Sequence, residues 1–199
     1  MDAITVPTGN TYDKYGTRNP IERRLMKGFF ATLDALLPTQ SPRAVLEAGL
    51  GEGEVTHRMR HRYPAARFVG IDLPDPRLAE AWSKRKLLGA FADVHRLPFG
   101  DESFDLILAI EVLEHVPDPL GALEELARVA SGDAVLSVPR EPIWRVANLA
   151  RGKYIRTLGN TPGHIQHWSR REFIDMVSAH FDLVAVRAPL PWTMIGARV

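Results

Sequence analysis

Glu47 and three glycines, Gly49, Gly51 and Gly53, crowd directly behind the apolar run Ala44-Val45-Leu46. Glycine at the point where a strand hands over to a helix lets the backbone turn sharply and lets a ligand approach with no Cβ in the way. The helix start adds unpaired N–H groups for polar ligand atoms. The chemistry on offer is therefore recognition of a polar small molecule, although a plain strand-to-helix turn has the same composition. Two details narrow the ligand. A dinucleotide fingerprint wants a third glycine where Glu54 stands, and no Gly-Lys-Ser/Thr ending is present, so a P-loop is excluded.

Two acids follow. Asp72 stands about 20 residues past the loop, where an acid reaches the two ribose hydroxyls of an adenosine. Asp93 stands after a further short apolar run, in reach of an adenine amine. Either could equally be a helix cap or a turn acid.

These residues need a scaffold, and apolar runs alternate with helical patterns along the chain. That alternation predicts an α/β fold with a mostly parallel sheet. Strands are expected at 44–46, 68–71, near Ala90, at 106–110, 134–138, 183–186 and 193–197. The run 106–110 is too apolar for a half-exposed strand and should be central. Helices are expected from Pro20 past Leu36, at 54–61, 76–88, 120–130 and 171–180. The link between the last two strands is too short for a helical crossover, so they should pair antiparallel.

The 199 residues suit a single domain over 1–199, with 1–40 as leader and capping helix and 140–167 as an insert covering the substrate. The absence of cysteine rules out thiol nucleophiles and Cys-ligated zinc and permits a reducing, cytoplasmic home. Met1-Asp2 opens a polar stretch with no signal-peptide pattern, and no apolar run approaches the ~18 residues of a membrane span. The net charge of +1 gives no overall pull toward nucleic acid. Locally the balance differs: 140–171 holds seven basic residues and one acid, Glu141.

With these residues assembled, the sequence resembles the class I S-adenosylmethionine-dependent methyltransferases. It looks closest to the small-molecule branch that includes ubiquinone- and menaquinone-pathway enzymes. The stretches that carry the likeness are VLEAGLGEGEVT (45–56), FVGIDLPD (68–75), ADVHRLPFGDESFDLILAIEVLEHVPDP (92–119) and HIQHWSRREF (164–173). The resemblance implies a Rossmann-like, seven-stranded, mostly parallel sheet with an antiparallel last strand and helices on both faces. It implies S-adenosylmethionine as cofactor. Glu47, Gly49, Leu50, Gly51 and Gly53 would hold its methionine end. Asp72 would bind the ribose, with Leu73 beside the adenine. Asp93 and Val94 would meet the adenine edge, and Ile110 and Glu111 would line the pocket floor. The family often has Asp where Glu47 stands and Cys where Leu50 stands; neither change removes the carboxylate or the glycines.

Methyl transfer from a sulfonium is an in-line displacement, so positioning supplies much of the rate. A hydroxyl nucleophile also needs a base, and His115, His164 and His167 are the candidates. Glu111, Glu114, His115 and His164 further resemble a metal-binding quartet of small-RNA 2′-O-methyltransferases and some quinone-pathway O-methyltransferases. A divalent cation there would lower a hydroxyl pKa, but it is not the expected reading, since Glu114 and His115 also suit a purely structural role. The expected partner is a small-molecule acceptor such as a lipid, quinone, sugar or secondary metabolite, methylated on O or N. The insert, with Ile143, Trp144, Val146, Ala147 and Leu149 closed by Arg151 and Lys153, suits a partly apolar or anionic acceptor. It could also touch a membrane surface, or simply pack its apolar side on the domain. In the leader, Tyr12, Tyr15 and Arg18 could close over the cofactor. The rival readings are an NAD-dependent oxidoreductase, disfavoured by Glu54, an inactive cofactor-binding protein, and an RNA methyltransferase, against which the charge balance argues.

Overall fold

The computed structural model describes residues 19–199, so the leader residues Tyr12, Tyr15 and Arg18 lie outside the described residues. Helix α1 (Pro20–Leu36) starts on Asn19, whose side chain accepts from the Ile21 N–H at 2.9 Å, and proline fills its first position. There follow β1 (Ala44–Ala48), α2 (Glu54–Arg62), β2 (Arg67–Asp72), α3 (Pro76–Arg85), β3 (Gly89–Phe91), β4 (Phe104–Ile110), α4 (Pro119–Val129), β5 (Ala130–Pro139), α5 (Ile143–Ala150), α6 (Arg170–Ser178), β6 (Asp182–Arg187) and β7 (Trp192–Arg198). Short 3₁₀ turns lie at Leu113–His115 and Ile155–Thr157.

The strands form one seven-stranded sheet in the order β3-β2-β1-β4-β5-β7-β6. The β1–β2, β1–β4, β2–β3 and β4–β5 pairs are parallel, and β7 runs antiparallel to both β5 and β6. The fold is the doubly wound arrangement that the alternating runs predict, with the last hairpin paired as its short link requires.

Both faces of the central strands are covered, which is why β4 reads as an unbroken apolar run. Leu46, Ala48, Ile107, Ala109 and Leu136 point to one face, where Leu123 and Leu126 of α4 and Phe173 and Val177 of α6 meet them. The alternate residues Val45, Leu106, Leu108 and Val135 point to the other, against Phe29 and Leu33 of α1 and Val55 and Met59 of α2. Strand order reverses between β1 and β4, and the crevice beyond their carboxyl ends is where such sheets take ligands.

Helix α3 is shorter than the apolar pattern suggests. Lys86 adopts a left-handed φ of 53° and stops it. Leu87 is thereby released to pack with Leu50, Leu78 and Trp82 beneath the glycine loop.

Candidate active site

The glycine loop needs its glycines for two different reasons. Gly49 and Gly53 both have left-handed φ, of 74° and 80°, and an added Cβ would collide with Val112 at the first and Leu87 at the second. Gly51 has φ 51° and open space where a Cβ would stand. The first two let the loop pack; the third leaves its backbone bare toward the crevice. The loop is tied down from below by Trp82, whose indole N–H donates to the Gly51 carbonyl at 2.7 Å.

Two acids frame the loop. Asp72, at the tip of β2, accepts from the Gly51 N–H at 2.7 Å and the Leu73 N–H at 2.8 Å. Burial pushes its pKa above the ordinary carboxylate value, against the pull of those two N–H groups. Glu47 is buried on β1 and receives the Thr56 hydroxyl. Desolvation pushes Glu47 up to about 8, so near neutral pH the carboxyl is largely protonated. Asp93 is held differently: its Oδ1 accepts from the His95 backbone N–H at 3.0 Å and contacts His95 Nδ1 at 2.6 Å. Those hydrogen bonds, the backbone one foremost, keep its pKa below the usual range.

A single cavity of about 630 Å³ runs from this loop across the end of β4 to α5. Glu47, Gly49, Leu50, Gly51, Asp72, Leu73, Asp93, Val94, Ile110 and Glu111 all line it. Gly53 does not; it caps α2 behind the loop. Glu111 has a left-handed φ of 59°, and its carboxylate accepts from the Trp192 indole at 2.7 Å and the Ser137 hydroxyl at 3.3 Å.

The far end of the cavity holds His115 and His164. Their rings meet edge to face at 4.8 Å, and Trp144 stacks on His164 at 5.7 Å. His115 Nδ1 faces the Gly163 carbonyl at 2.9 Å, so Nδ1 carries a proton and donates, while Nε2 lies 4.0 Å from Glu114 Oε1. His167 is not brought to the cavity. It stands on the other side of the segment, where its Nε2–H donates to Asn160 Oδ1 at 2.8 Å, and burial followed by the nearby Arg145 lowers its pKa.

Of the four residues that resemble a metal quartet, three converge. Ligand atoms of Glu114, His115 and His164 lie within 4.8 Å of one another, while Glu111 is not among the group. The insert closes this end of the cavity. Asn148 is buried with its amide on the Gly159 carbonyl at 2.8 Å, and Arg151 and Lys153 reach Glu22 of α1 at 3.1 and 3.3 Å. Part of the basic excess seen in the sequence is thus an ion-pair clasp between α1 and the insert. Thr56, Trp82, Trp192 and Glu22 were not singled out by sequence. Trp82, Trp192 and Glu22 each act through a side-chain bond to a residue 31 or more positions away, and Thr56 through a bond to Glu47, nine residues back, that no strand or helix period encodes.

Residues 46–138 match the family model described as a methyltransferase domain. The chain is 35% identical over 135 residues to a ubiquinone biosynthesis O-methyltransferase of Hahella chejuensis, covering 63% of this chain and 55% of that protein. It is 33% identical over 110 residues to a malonyl-[acyl-carrier protein] O-methyltransferase of Halorhodospira halophila, covering 52% of this chain and 37% of that protein. The chain therefore spans a third to just over half the length of these curated relatives. Among solved structures, a SAM-dependent methyltransferase from Aquifex aeolicus superposes with a TM-score of 0.71 at 18% identity, over 91% of this chain and 94% of that one. The Haloferax volcanii complex of the Trm112 methyltransferase activator with a methyltransferase also superposes, with a TM-score of 0.70 at 16% identity over 89% of this chain and 92% of that one. Residues 46–138 thus match a methyltransferase domain, and the sheet built around them has the fold of S-adenosylmethionine-dependent methyltransferases of known structure.

Proposed function

We propose that this chain transfers a methyl group from S-adenosylmethionine to the hydroxyl of a small, partly apolar acceptor. The observation that carries the reading is the single cavity joining the bare Gly51 backbone and Asp72 at one end to His115 and His164 at the other. The residues present fit the family's cofactor: an open glycine face, a carboxylate at the tip of β2 and a buried carboxyl on β1. When bound, the cofactor supplies an electrophilic methyl group on a sulfonium, which departs as a neutral thioether.

The chain's own residues do the rest. Asp72, pinned by the Gly51 and Leu73 N–H groups, presents a fixed carboxylate for a diol. Glu47 offers the methionine end a carboxyl that ionises when a cation arrives. Trp144, Trp192 and Tyr154 line the acceptor end with aromatic surface, which suits a molecule that is flat or partly apolar. His115 Nε2, beside the Glu114 carboxylate at 4.0 Å, takes the acceptor's hydroxyl proton, with Nδ1 committed to the Gly163 carbonyl. Enclosure by α5 favours a small acceptor over an RNA strand.

Calorimetric titration with S-adenosylmethionine and S-adenosylhomocysteine tests the first half, with NAD as the control. Methyl transfer from labelled cofactor to a panel of alkylated phenols, sugars and short RNAs tests the second. His115→Gln is expected to keep cofactor affinity and lose on the order of 10²–10⁴ in transfer rate. Binding of NAD alone, or transfer undiminished in His115→Gln, overturns the reading.

A further inference from the structure

His95 stands two residues past Asp93 and lines the cavity with it. Both of its ring nitrogens meet oxygen. Nδ1 contacts Asp93 Oδ1 at 2.6 Å, and Nε2 contacts the Asp118 carbonyl at 2.9 Å. A carbonyl oxygen can only accept, so Nε2 donates to it. Asp93 is kept ionised by the hydrogen bonds it receives, so its oxygen accepts as well. The ring therefore completes both bonds only as the imidazolium. With a single proton it leaves one of the two oxygens facing a nitrogen lone pair.

The two partners differ in how firmly the fold holds them. Asp118 caps α4: its carboxylate accepts from the Gly121 N–H at 3.0 Å, and its carbonyl also accepts from the Ala122 N–H at 3.2 Å. It is a fixed anchor. The Asp93 side chain is 61% exposed, and apart from the ring it receives only the His95 backbone N–H, at 3.0 Å. Both of those bonds fall on Oδ1, which leaves Oδ2 for a ligand. The ring thus ties a loose carboxylate on the cavity wall to a rigid helix start. Asp93, by its carboxylate, and Asp118, by its main chain, are the acidic residues that face the ring among those described, and no further charged group bonds to it.

We propose that His95 is a positioning residue for cofactor specificity: by bridging Asp118 to Asp93 it fixes the carboxylate so that Oδ2 accepts from the 6-amino group of an adenine. A purine with oxygen at that position brings a second acceptor against the carboxylate, and the two repel. The role rests on the cofactor reading above, in which Asp93 meets the adenine edge.

The test is calorimetric titration with S-adenosylhomocysteine and with S-inosylhomocysteine, which differs only at the purine edge, where a 6-oxo group and an N1–H replace the amine. The ratio of the two affinities is the readout. Glu47 and Asp72 meet the methionine and ribose parts that both ligands share, so their titration cancels in the ratio. The parent is expected to prefer the adenosyl ligand, and the preference should shrink from about pH 5 to about pH 8, the interval in which histidines change charge. His95→Leu should cut the ratio about threefold to tenfold, the order of one hydrogen bond to a partly exposed charged group. His95→Asn keeps a donor for Asp93 and carries no titrating proton. It should restore most of the ratio and flatten its pH profile.

A merely structural His95 would weaken both ligands alike. An unchanged ratio in His95→Leu therefore overturns the proposal, as does a parent ratio that does not move with pH. Should His95→Leu fail to melt cooperatively, the parent's profile set against that of His95→Asn decides alone. Binding of both ligands without preference would strike only the His95 role and leave the cofactor reading in place. Binding of neither would sink that reading and this role with it.

Discussion

The Trp192 indole N–H donates to the Glu111 carboxylate at 2.7 Å, tying the first residue of the antiparallel last strand to the residue that follows β4. The Trp192 ring also meets Phe29 at 4.8 Å and Trp144 at 5.8 Å. The cavity floor, helix α1 and the insert are therefore joined through one side chain. Trp192→Phe keeps much of the ring packing and removes the indole donor to Glu111. Urea unfolding should show a loss of about 1–3 kcal/mol, the range for a hydrogen bond to a charged group. An unchanged unfolding midpoint would show that the bond contributes nothing.

Glu47 makes stability fall as pH rises. Its folded pKa, about 8, lies above the ordinary 4.5, so the folded chain holds a proton that the unfolded chain releases. The stabilisation is complete below pH 4.5, declines through the interval up to about 8 and is flat beyond. Glu47→Gln mimics the protonated form. Parent and variant should therefore diverge with rising pH, the variant being the more stable by on the order of 5 kcal/mol above pH 8. Parallel curves from pH 5 to pH 8 would place an ionised carboxylate at this position. The same logic predicts that binding the cationic methionine end expels a proton. At pH 7 the heat of cofactor binding should then vary with the buffer's ionisation enthalpy.

Gly49 and Gly51 should respond in opposite ways to alanine. At Gly49 the left-handed backbone and the collision with Val112 fall on the fold itself, and Gly49→Ala should cost stability of ~2 kcal/mol or more. At Gly51 the added methyl meets no protein atom. Gly51→Ala should carry only the conformational cost of roughly 1 kcal/mol yet weaken S-adenosylhomocysteine binding by tenfold or more, because the methyl stands where the ligand must approach. Thermal melting and calorimetry on the two variants separate the cases. Full cofactor affinity in Gly51→Ala would mean the ligand lies elsewhere.

What the sequence made legible was local. The β6–β7 hairpin followed from the shortness of its link, and the centrality of β4 from its unbroken apolar run. The glycine loop and Asp72 were readable because they sit at a strand end within 21 residues of each other. Contacts between distant segments were not. The Arg151–Glu22 pair spans 129 residues, and the sequence showed only a basic stretch with no sign of its partner. Trp82, four residues past Leu78 on a helix face, reads as core, and nothing in that spacing reveals its bond to Gly51. His164 and His167 looked equivalent because the segment carrying them has no helical or strand period to say which one turns inward.

The cluster of Glu114, His115 and His164 supplies the last prediction. Three donors within 4.8 Å could hold a cation only after drawing in, since nitrogen ligands on a metal at ~2.1 Å stand roughly 3.4 Å apart in a tetrahedral set. The fourth candidate, Glu111, already accepts from Trp192 and Ser137 and would have to give up those bonds to join. The expectation is that dialysis against a chelator leaves S-adenosylhomocysteine affinity and thermal stability unchanged, with less than stoichiometric metal by atomic emission. A stoichiometric divalent ion that survives purification and is lost in His164→Ala would reverse this. It would recast His115 as a ligand, and the acceptor hydroxyl would then be activated by the cation, with no imidazole base required.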